Sequence, residues 1–254
     1  MEHPQHIDHI LKQWTFDPST INVRKLWIDQ RQVLQLRLDM GILQMEVDHR
    51  PDGKRPHGAK TYLDYLVQLA AKSPDSFQLH PEHYAEIDRE FAQYYHRRIC
   101  WLQLQEFDSA VNDADHTLQL MDFCKRFSTD EQWSVSHEQY RPFVLYQRTQ
   151  AAALAVLEHP REEGGGNALC IVDDGLEEIR RLFVEHDAED QFESDELVVQ
   201  LREFRQQLQK RFEPVQLLVD QLNAAVANED YELAARLRDR IATQEKDSRN
   251  SKRA

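Results

Sequence analysis

Two hydrophobic rhythms divide the chain. The first has a period of two. From Gln32 to Met40, Leu34, Leu36 and Leu38 alternate with Gln35, Arg37 and Asp39. After Gly41 the alternation resumes, with Leu43, Met45 and Val47 set against Gln44, Glu46 and Asp48. Side chains of a strand point alternately to its two faces, so this pattern predicts a β-hairpin over about residues 32–48 with one buried face. Two strands alone are marginal in water, so the hairpin must rest on helices or on more sheet. The loop His49–Gly58, with Pro51, Gly53, Pro56 and Gly58, is turn chemistry throughout.

From Thr61 the rhythm becomes helical. Tyr62, Tyr65, Leu66 and Leu69 share one face. Ser73–Pro81 reads as a linker. Five helices are expected after it, at His83–Leu104, Phe107–Phe123, Pro142–Leu157, Ala168–Glu185 and Ser194–Phe212. His80 and His83 flank Pro81 and are placed to cap the first of these. The stretch Glu162–Asn167, with Gly164, Gly165 and Gly166, is expected to be a flexible break. Ser194 is the expected N-cap of the fifth helix, with Leu197, Leu201, Phe204 and Leu208 as its apolar stripe.

The last helical segment differs in character. Pro214 suits a first helical turn, where its missing N–H costs nothing. Val215, Leu218, Leu222 and Ala225 follow on one face. Asn228-Glu229-Asp230 is a polar turn, and Asn228 or Asp230 can cap what comes next. Tyr231, Ala234, Leu237 and Ile241 form the second stripe, and Glu232 and Arg236 are spaced for an ion pair. Ala224-Ala225 and Ala234-Ala235 are expected at the crossing, where small residues allow close approach. A unit this short lies below the size, about 40 residues, at which a domain usually stands alone. It must dock on its own chain, on a second copy or on a partner.

Charge narrows the function classes. The net charge of -14 is concentrated in residues 61–213, which carry fifteen Lys or Arg against thirty Asp or Glu. Phosphate neutralisation drives nucleic-acid affinity, so this acidic body argues against direct nucleic-acid binding. Cys100, Cys124 and Cys170 are far apart and odd in number, which favours neither a disulfide framework nor a zinc site. The polar start lacks the apolar core of a signal peptide, and no apolar run reaches membrane-spanning length. The expected setting is the cytoplasm, with no membrane contact.

Candidate chemistry is sparse. His3, His6 and His9 have a loose helical spacing without the fixed geometry that metals reward, so no metal site is assigned. Arg50, Lys54, Arg55 and His57 make the most basic loop of an acidic chain, a candidate anion-binding loop. No phosphate-binding loop, dinucleotide fingerprint, nucleophile elbow or metalloprotease motif is present. No catalytic residue and no cofactor are assigned, and the chain is expected not to be an enzyme.

Two resemblances add to this reading. Arg97, Trp101, Ala110, Asp113 and Thr117-Leu118 resemble a tetratricopeptide repeat, in which an Arg and an Asp at the places of Arg97 and Asp113 pair. Arg148, Ala152, Ala168 and Gly175-Leu176 look like a weaker second copy, with Ile171 where the Asp would stand. The run Leu222-Asn-Ala-Ala-Val226 and then Asn228-Glu-Asp-Tyr-Glu-Leu-Ala-Ala-Arg-Leu-Arg-Asp239 resembles the UVR (UvrB/UvrC) motif, with Tyr231 in place of the commoner Phe. Together they imply a mainly α fold. A small N-terminal α+β region (1–72) would precede a tetratricopeptide-like helical array (82–213), a UVR-like αα-hairpin (214–245) and a disordered tail (246–254).

The motif implies protein–protein contact by hairpin against hairpin, with another UVR-motif protein or a second copy as partner. The residues implied in contact are Leu218, Leu222, Val226, Glu229, Tyr231, Glu232, Ala234, Ala235, Leu237, Arg238 and Ile241. The expected function is a non-catalytic adaptor or scaffold. The alternatives are an accessory factor of bacterial excision repair, a regulator of a Clp-type protease, or a ligand sensor using the 49–58 loop.

Overall fold

The computed structural model describes residues 6–74, 76–158, 164–212, 214–228 and 230–251. Its elements in chain order are α1 (Asp8–Gln13), β1 (Asn22–Ile28), β2 (Arg31–Leu38), β3 (Gly41–Glu46), α2 (Tyr62–Lys72), α3 (Pro81–Gln103), α4 (Phe107–Phe127), α5 (Glu131–Glu138), α6 (Arg141–Glu158), α7 (Gly164–Glu185), α8 (Glu189–Phe192), α9 (Glu196–Phe212), α10 (Pro214–Ala227) and α11 (Tyr231–Ser251). The protein is mainly α. It divides into two compact units, Met1–Ala151 and Ala152–Ala254. The division falls inside α6, away from the boundaries expected near residues 72–82 and 213.

In the first unit the expected hairpin is part of a three-stranded antiparallel sheet, in the order β1-β2-β3. β1 escaped the alternation test because Arg24 and Lys25 interrupt its apolar positions. It joins β2 through Asp29 and Gln30, both at positive φ (46° and 67°) and neither a glycine. That backbone is the mirror-image turn that matches strand twist, made here without the Asn-Gly or Asp-Gly pair that usually marks it.

The expectation of one buried face is also corrected. Leu34 and Leu36 pack with Met45 against Cys100, Trp101 and Ala110, as the pattern requires. Gln35 and Arg37 are buried too, while Leu38 is exposed. The second face is covered by the segment after α1. Arg37 Nε donates to the Trp14 carbonyl at 3.1 Å, and the Arg24 guanidinium lies 4.2 Å from the centre of the Trp14 ring. Gln35 accepts from Arg24 Nε at 2.9 Å and donates to Gln44 Oε1 at 2.9 Å, one ladder across the three strands. Buried polar groups survive when they are bonded in this way.

Helix α2 begins at a capping box: Thr61 Oγ1 accepts from Asp64 N and Asp64 Oδ2 accepts from Thr61 N. Its apolar face, Tyr62, Leu63, Leu66 and Ala70, enters a core with Ile87 and Phe91 of α3 and Ala114, Leu120, Met121 and Cys124 of α4. α3 starts at Pro81, with His83 Nδ1 accepting from His80 N at 3.0 Å. The short α5 was not foreseen. Asp130 caps it through Trp133 N at 2.9 Å, and it is held by rings, Trp133 on Tyr84 and His137 on Phe91.

In the second unit the glycine stretch is helical from Gly164 onward, so the flexible break expected over Glu162–Asn167 is corrected there, while 159–163 lie outside the described residues. A Cβ on Gly165 would stand 2.5 Å from Phe212 Cβ, so the missing side chain lets the start of α7 lie against the end of α9. Asp195, not Ser194, caps α9, accepting from Leu197 N at 3.0 Å and Val198 N at 3.1 Å. The buried stripe of α9 is Val198, Leu201 and Leu208. α11 runs on to Ser251, so the tail expected to be disordered over 246–254 is helical through that residue. Gln, Glu, Lys and Arg propagate a helix well, and no Gly or Pro stops it.

Candidate functional site

Three helical ingredients shape the C-terminal hairpin. Pro214 opens α10, as its fixed φ favours. Asp230 Oδ1 accepts from Leu233 N at 3.0 Å and caps α11. Between them Asp230 N donates to the Ala225 carbonyl at 2.9 Å, closing the turn. The interior is small: Leu218, Ala225, Ala234 and Leu237 are buried, with Leu222 and Ile241 partly so.

Several expected contact residues divide differently from the sequence reading. Only one alanine of each pair faces the crossing. Ala225 and Ala234 are buried, whereas Ala224 and Ala235 are exposed, because neighbours on a helix point about 100° apart. Tyr231 does not continue the stripe of Ala234, Leu237 and Ile241 and is 68% exposed. It sits at the first residue of α11. Val226 is 50% exposed. Glu232 and Arg236 form the expected surface pair at 3.3 Å, and Arg238 reaches only its neighbour Asp239 at 3.4 Å. Glu229 lies outside the described residues.

Leu233, outside the expected contact set, is 40% exposed. Its signal was available: a leucine off the apolar stripe of a polar helix. Val226, Leu233 and Tyr231 thus place three exposed apolar side chains around one turn.

Residues 213–246 match the family model of the UvrB/uvrC motif. The match is confined to this hairpin, so it characterises the C-terminal segment and not the whole chain. The UvrB/uvrC motif is known for protein–protein or DNA-repair-related interaction. No curated protein and no solved structure matches the chain at a significant level.

The basic loop behaves otherwise than expected. Arg50 is 1% exposed and its guanidinium is already engaged by side chains of its own fold. Its Nη2 donates to Glu86 Oε2 at 2.7 Å and its Nε to Gln93 Oε1 at 3.3 Å, with Glu90 Oε2 and Asp52 Oδ1 each at 3.5 Å. The carboxylates of Asp52, Glu86 and Glu90 offset the cost of burying the Arg50 charge. Glu90 is itself 0% exposed; it accepts from Tyr62 N and Leu63 N at the start of α2, and His116 Nε2 lies 2.9 Å away. A carboxylate at a helix N-terminus faces unpaired N–H groups and the positive end of the dipole. His57 stacks on Tyr65 at 4.0 Å. Besides the exposed His57 ring, the candidates that remain exposed are Lys54 and Arg55. They border an open cavity of about 580 Å³ together with Trp27, Arg31 and Glu46. Arg31 is already paired with Glu46.

The Arg97–Asp113 pair is formed and buried, with Nε to Oδ2 at 2.8 Å and Nη2 to Oδ1 at 2.6 Å. Burial alone would lower the Arg97 pKa; Asp113 outweighs it and the net shift is upward. Arg97 also donates to the carbonyls of Glu46 and His49, which ties β3 and the loop to α3. This pair therefore fastens the fold. Arg148 pairs with Asp115 of α4. Among the described residues, no group of three or more His, Cys, Asp or Glu is arranged to hold a metal ion, and no helix is long and apolar enough to cross a membrane.

Proposed function

We propose that this chain is a non-catalytic, cytoplasmic adaptor whose UvrB/uvrC-motif hairpin docks onto a protein partner, either another protein carrying the motif or a second copy. The observation that carries the reading is the mismatch within the hairpin. Two alanines and two leucines supply its core, while Val226, Tyr231 and Leu233 stay in water around its turn. Apolar side chains of a partner would cover them, and burying what each still exposes is worth about 1 kcal/mol. The α3–α4 hairpin, with its tetratricopeptide-like Arg97–Asp113 pair, would offer a second contact surface.

The test compares the full chain with the triple variant Val226→Asp, Tyr231→Ala, Leu233→Asp. Affinity purification identifies the partner, and sedimentation distinguishes a second copy from a different protein. The variant should lose the complex and keep its helical circular dichroism. A complex of unchanged composition and strength would remove the hairpin from the function.

A further inference from the structure

Arg97 and Arg98 are adjacent, both buried on α3, and treated very differently by the fold. Arg97 has a bidentate carboxylate. Arg98, 2% exposed, has only neutral partners: Nε donates to Gln147 Oε1 at 2.8 Å and Nη1 to Thr117 Oγ1 at 2.9 Å. The Thr117 hydroxyl donates in turn to the Asp113 carbonyl, so its oxygen is fixed as an acceptor toward Arg98. The Tyr95 ring centre stands 6.0 Å from the guanidinium carbon. No carboxylate among the described residues lies within ion-pair distance of Arg98. A guanidinium carries five N–H donors, so three are left over. Burial pushes the Arg98 pKa down to about 10, and the group keeps its charge at neutral pH. The Asp113 carboxylate partly offsets this from beyond ion-pair distance, but it is bonded to Arg97, so Arg98 has no bonded counter-ion of its own, which is costly for a buried charge.

Arg98 lines a cavity of about 540 Å³, within the range of small-molecule sites. Phe91, Tyr95, Met121, Tyr140 and Phe143 supply apolar wall to it. Asp88, Phe91, Ala92, Tyr95 and Arg98 fall on one face of α3, so the cavity runs along the helix. Its two charged ends are unlike. Asp88 is already engaged, by Trp133 Nε1 at 3.0 Å and His137 Nε2 at 2.9 Å. It stands ten residues from Arg98, about 15 Å along the axis. A ligand with its charge at the Arg98 end therefore meets an unshared cation at one end and a satisfied carboxylate at the other. The apolar wall between favours a hydrocarbon or aryl body. One cation in an apolar cavity balances one negative charge, and the planar guanidinium fork matches a carboxylate.

We propose that this cavity, between α3, α4, α5 and the start of α6, is a binding site for a small apolar monocarboxylate whose carboxylate bonds the unshared N–H groups of Arg98. The site is separate from the hairpin and stands whether or not the adaptor reading does.

Calorimetric titration of the full chain with 4-phenylbutyrate, 4-phenylbutanol and 4-phenylbutylamine tests it. The carboxylate should bind at least about tenfold more tightly than the alcohol, the amine least of all. Arg98→Met keeps the length of the side chain and removes the charge, and it should bring the carboxylate down to the affinity of the alcohol. Ala92→Phe fills the cavity from α3 with Arg98 intact, and it should abolish binding of both; it also decides the matter if Arg98→Met does not fold. Equal affinity for carboxylate and alcohol, no binding of either, or binding untouched by these substitutions would overturn the proposal.

Discussion

Replacing Arg50 by Ala separates the two readings of the basic loop, as a surface anion site and as a buried anchor. The structure fixes where the cost falls. Glu86 is partly exposed and keeps Arg89, so it can turn to water. Asp52 keeps Lys54 N and Gln93 Nε2. Glu90 is 0% exposed and cannot reach water; it loses a cation 3.5 Å away. Breaking a buried ion pair costs about 3–5 kcal/mol. The Tyr62 and Leu63 N–H groups and His116 remain on Glu90, which puts Arg50→Ala at the lower end, about 3 kcal/mol. With a urea slope of about 2 kcal/mol/M, the midpoint should fall by about 1.5 M. Lys54→Ala and Arg55→Ala should stay within about 0.5 kcal/mol of wild type. A midpoint for Arg50→Ala within about 0.25 M of wild type, or phosphate that stabilises wild type and not the variant, would refute the anchor.

Arg50 also sets a pH dependence. Its hydrogen bond is the main cause holding the Glu86 carboxyl below the usual glutamate range. The folded pKa is therefore lower than the unfolded one. The contribution is complete above the ordinary glutamate pKa and is lost as pH falls through the depressed value. Glu86→Gln should thus destabilise at neutral pH, and the gap from wild type should close in acid denaturation series.

Three further outcomes are expected. Ala234→Leu should overpack the hairpin crossing and cost about 1–3 kcal/mol, seen as faster amide exchange over 214–245, while Ala235→Leu on the exposed side should leave exchange unchanged. Asp195→Ala should cost about 1 kcal/mol in thermal or urea unfolding, because two N–H groups of α9 lose their acceptor, and Ser194→Ala should cost little. Burial pushes the Cys100 and Cys124 thiols up to about 12, so maleimide at mild pH should label exposed Cys170 first, with Cys100 and Cys124 reacting only on unfolding.

Local chemistry was read well from the chain. The alternation of Leu34 and Leu36 with Leu43 and Met45 placed a β-hairpin, Pro214 and Asp230 bounded the C-terminal helices, and the turn around Tyr231 identified the motif. These features depend on neighbours within a few residues, where backbone geometry and capping act. Phase errors arose where position along a helix was read without its partner, as for Ala235 and Tyr231. A stripe can be counted from sequence, but which edge of it touches another helix depends on where that helix crosses.

Charge was the harder part, because a cation's role is set by what lies across space from it. Nothing in the chain separates the roles of Arg50 and Arg98, whereas the tetratricopeptide resemblance had already paired Arg97 with Asp113. Packing of α3 against the 49–53 loop and α4 gave Arg50 and Arg97 carboxylates from distant residues, and gave Arg98 only a threonine, a glutamine and an apolar cavity. The order of apolar and turn residues by itself determined that this protein is mainly helical and carries a short αα-hairpin over residues 214–245. Only the tertiary structure decided which cations anchor the fold and which is left wanting a counter-charge, since Coulomb attraction and desolvation depend on distance in space and burial, neither of which is written along the chain.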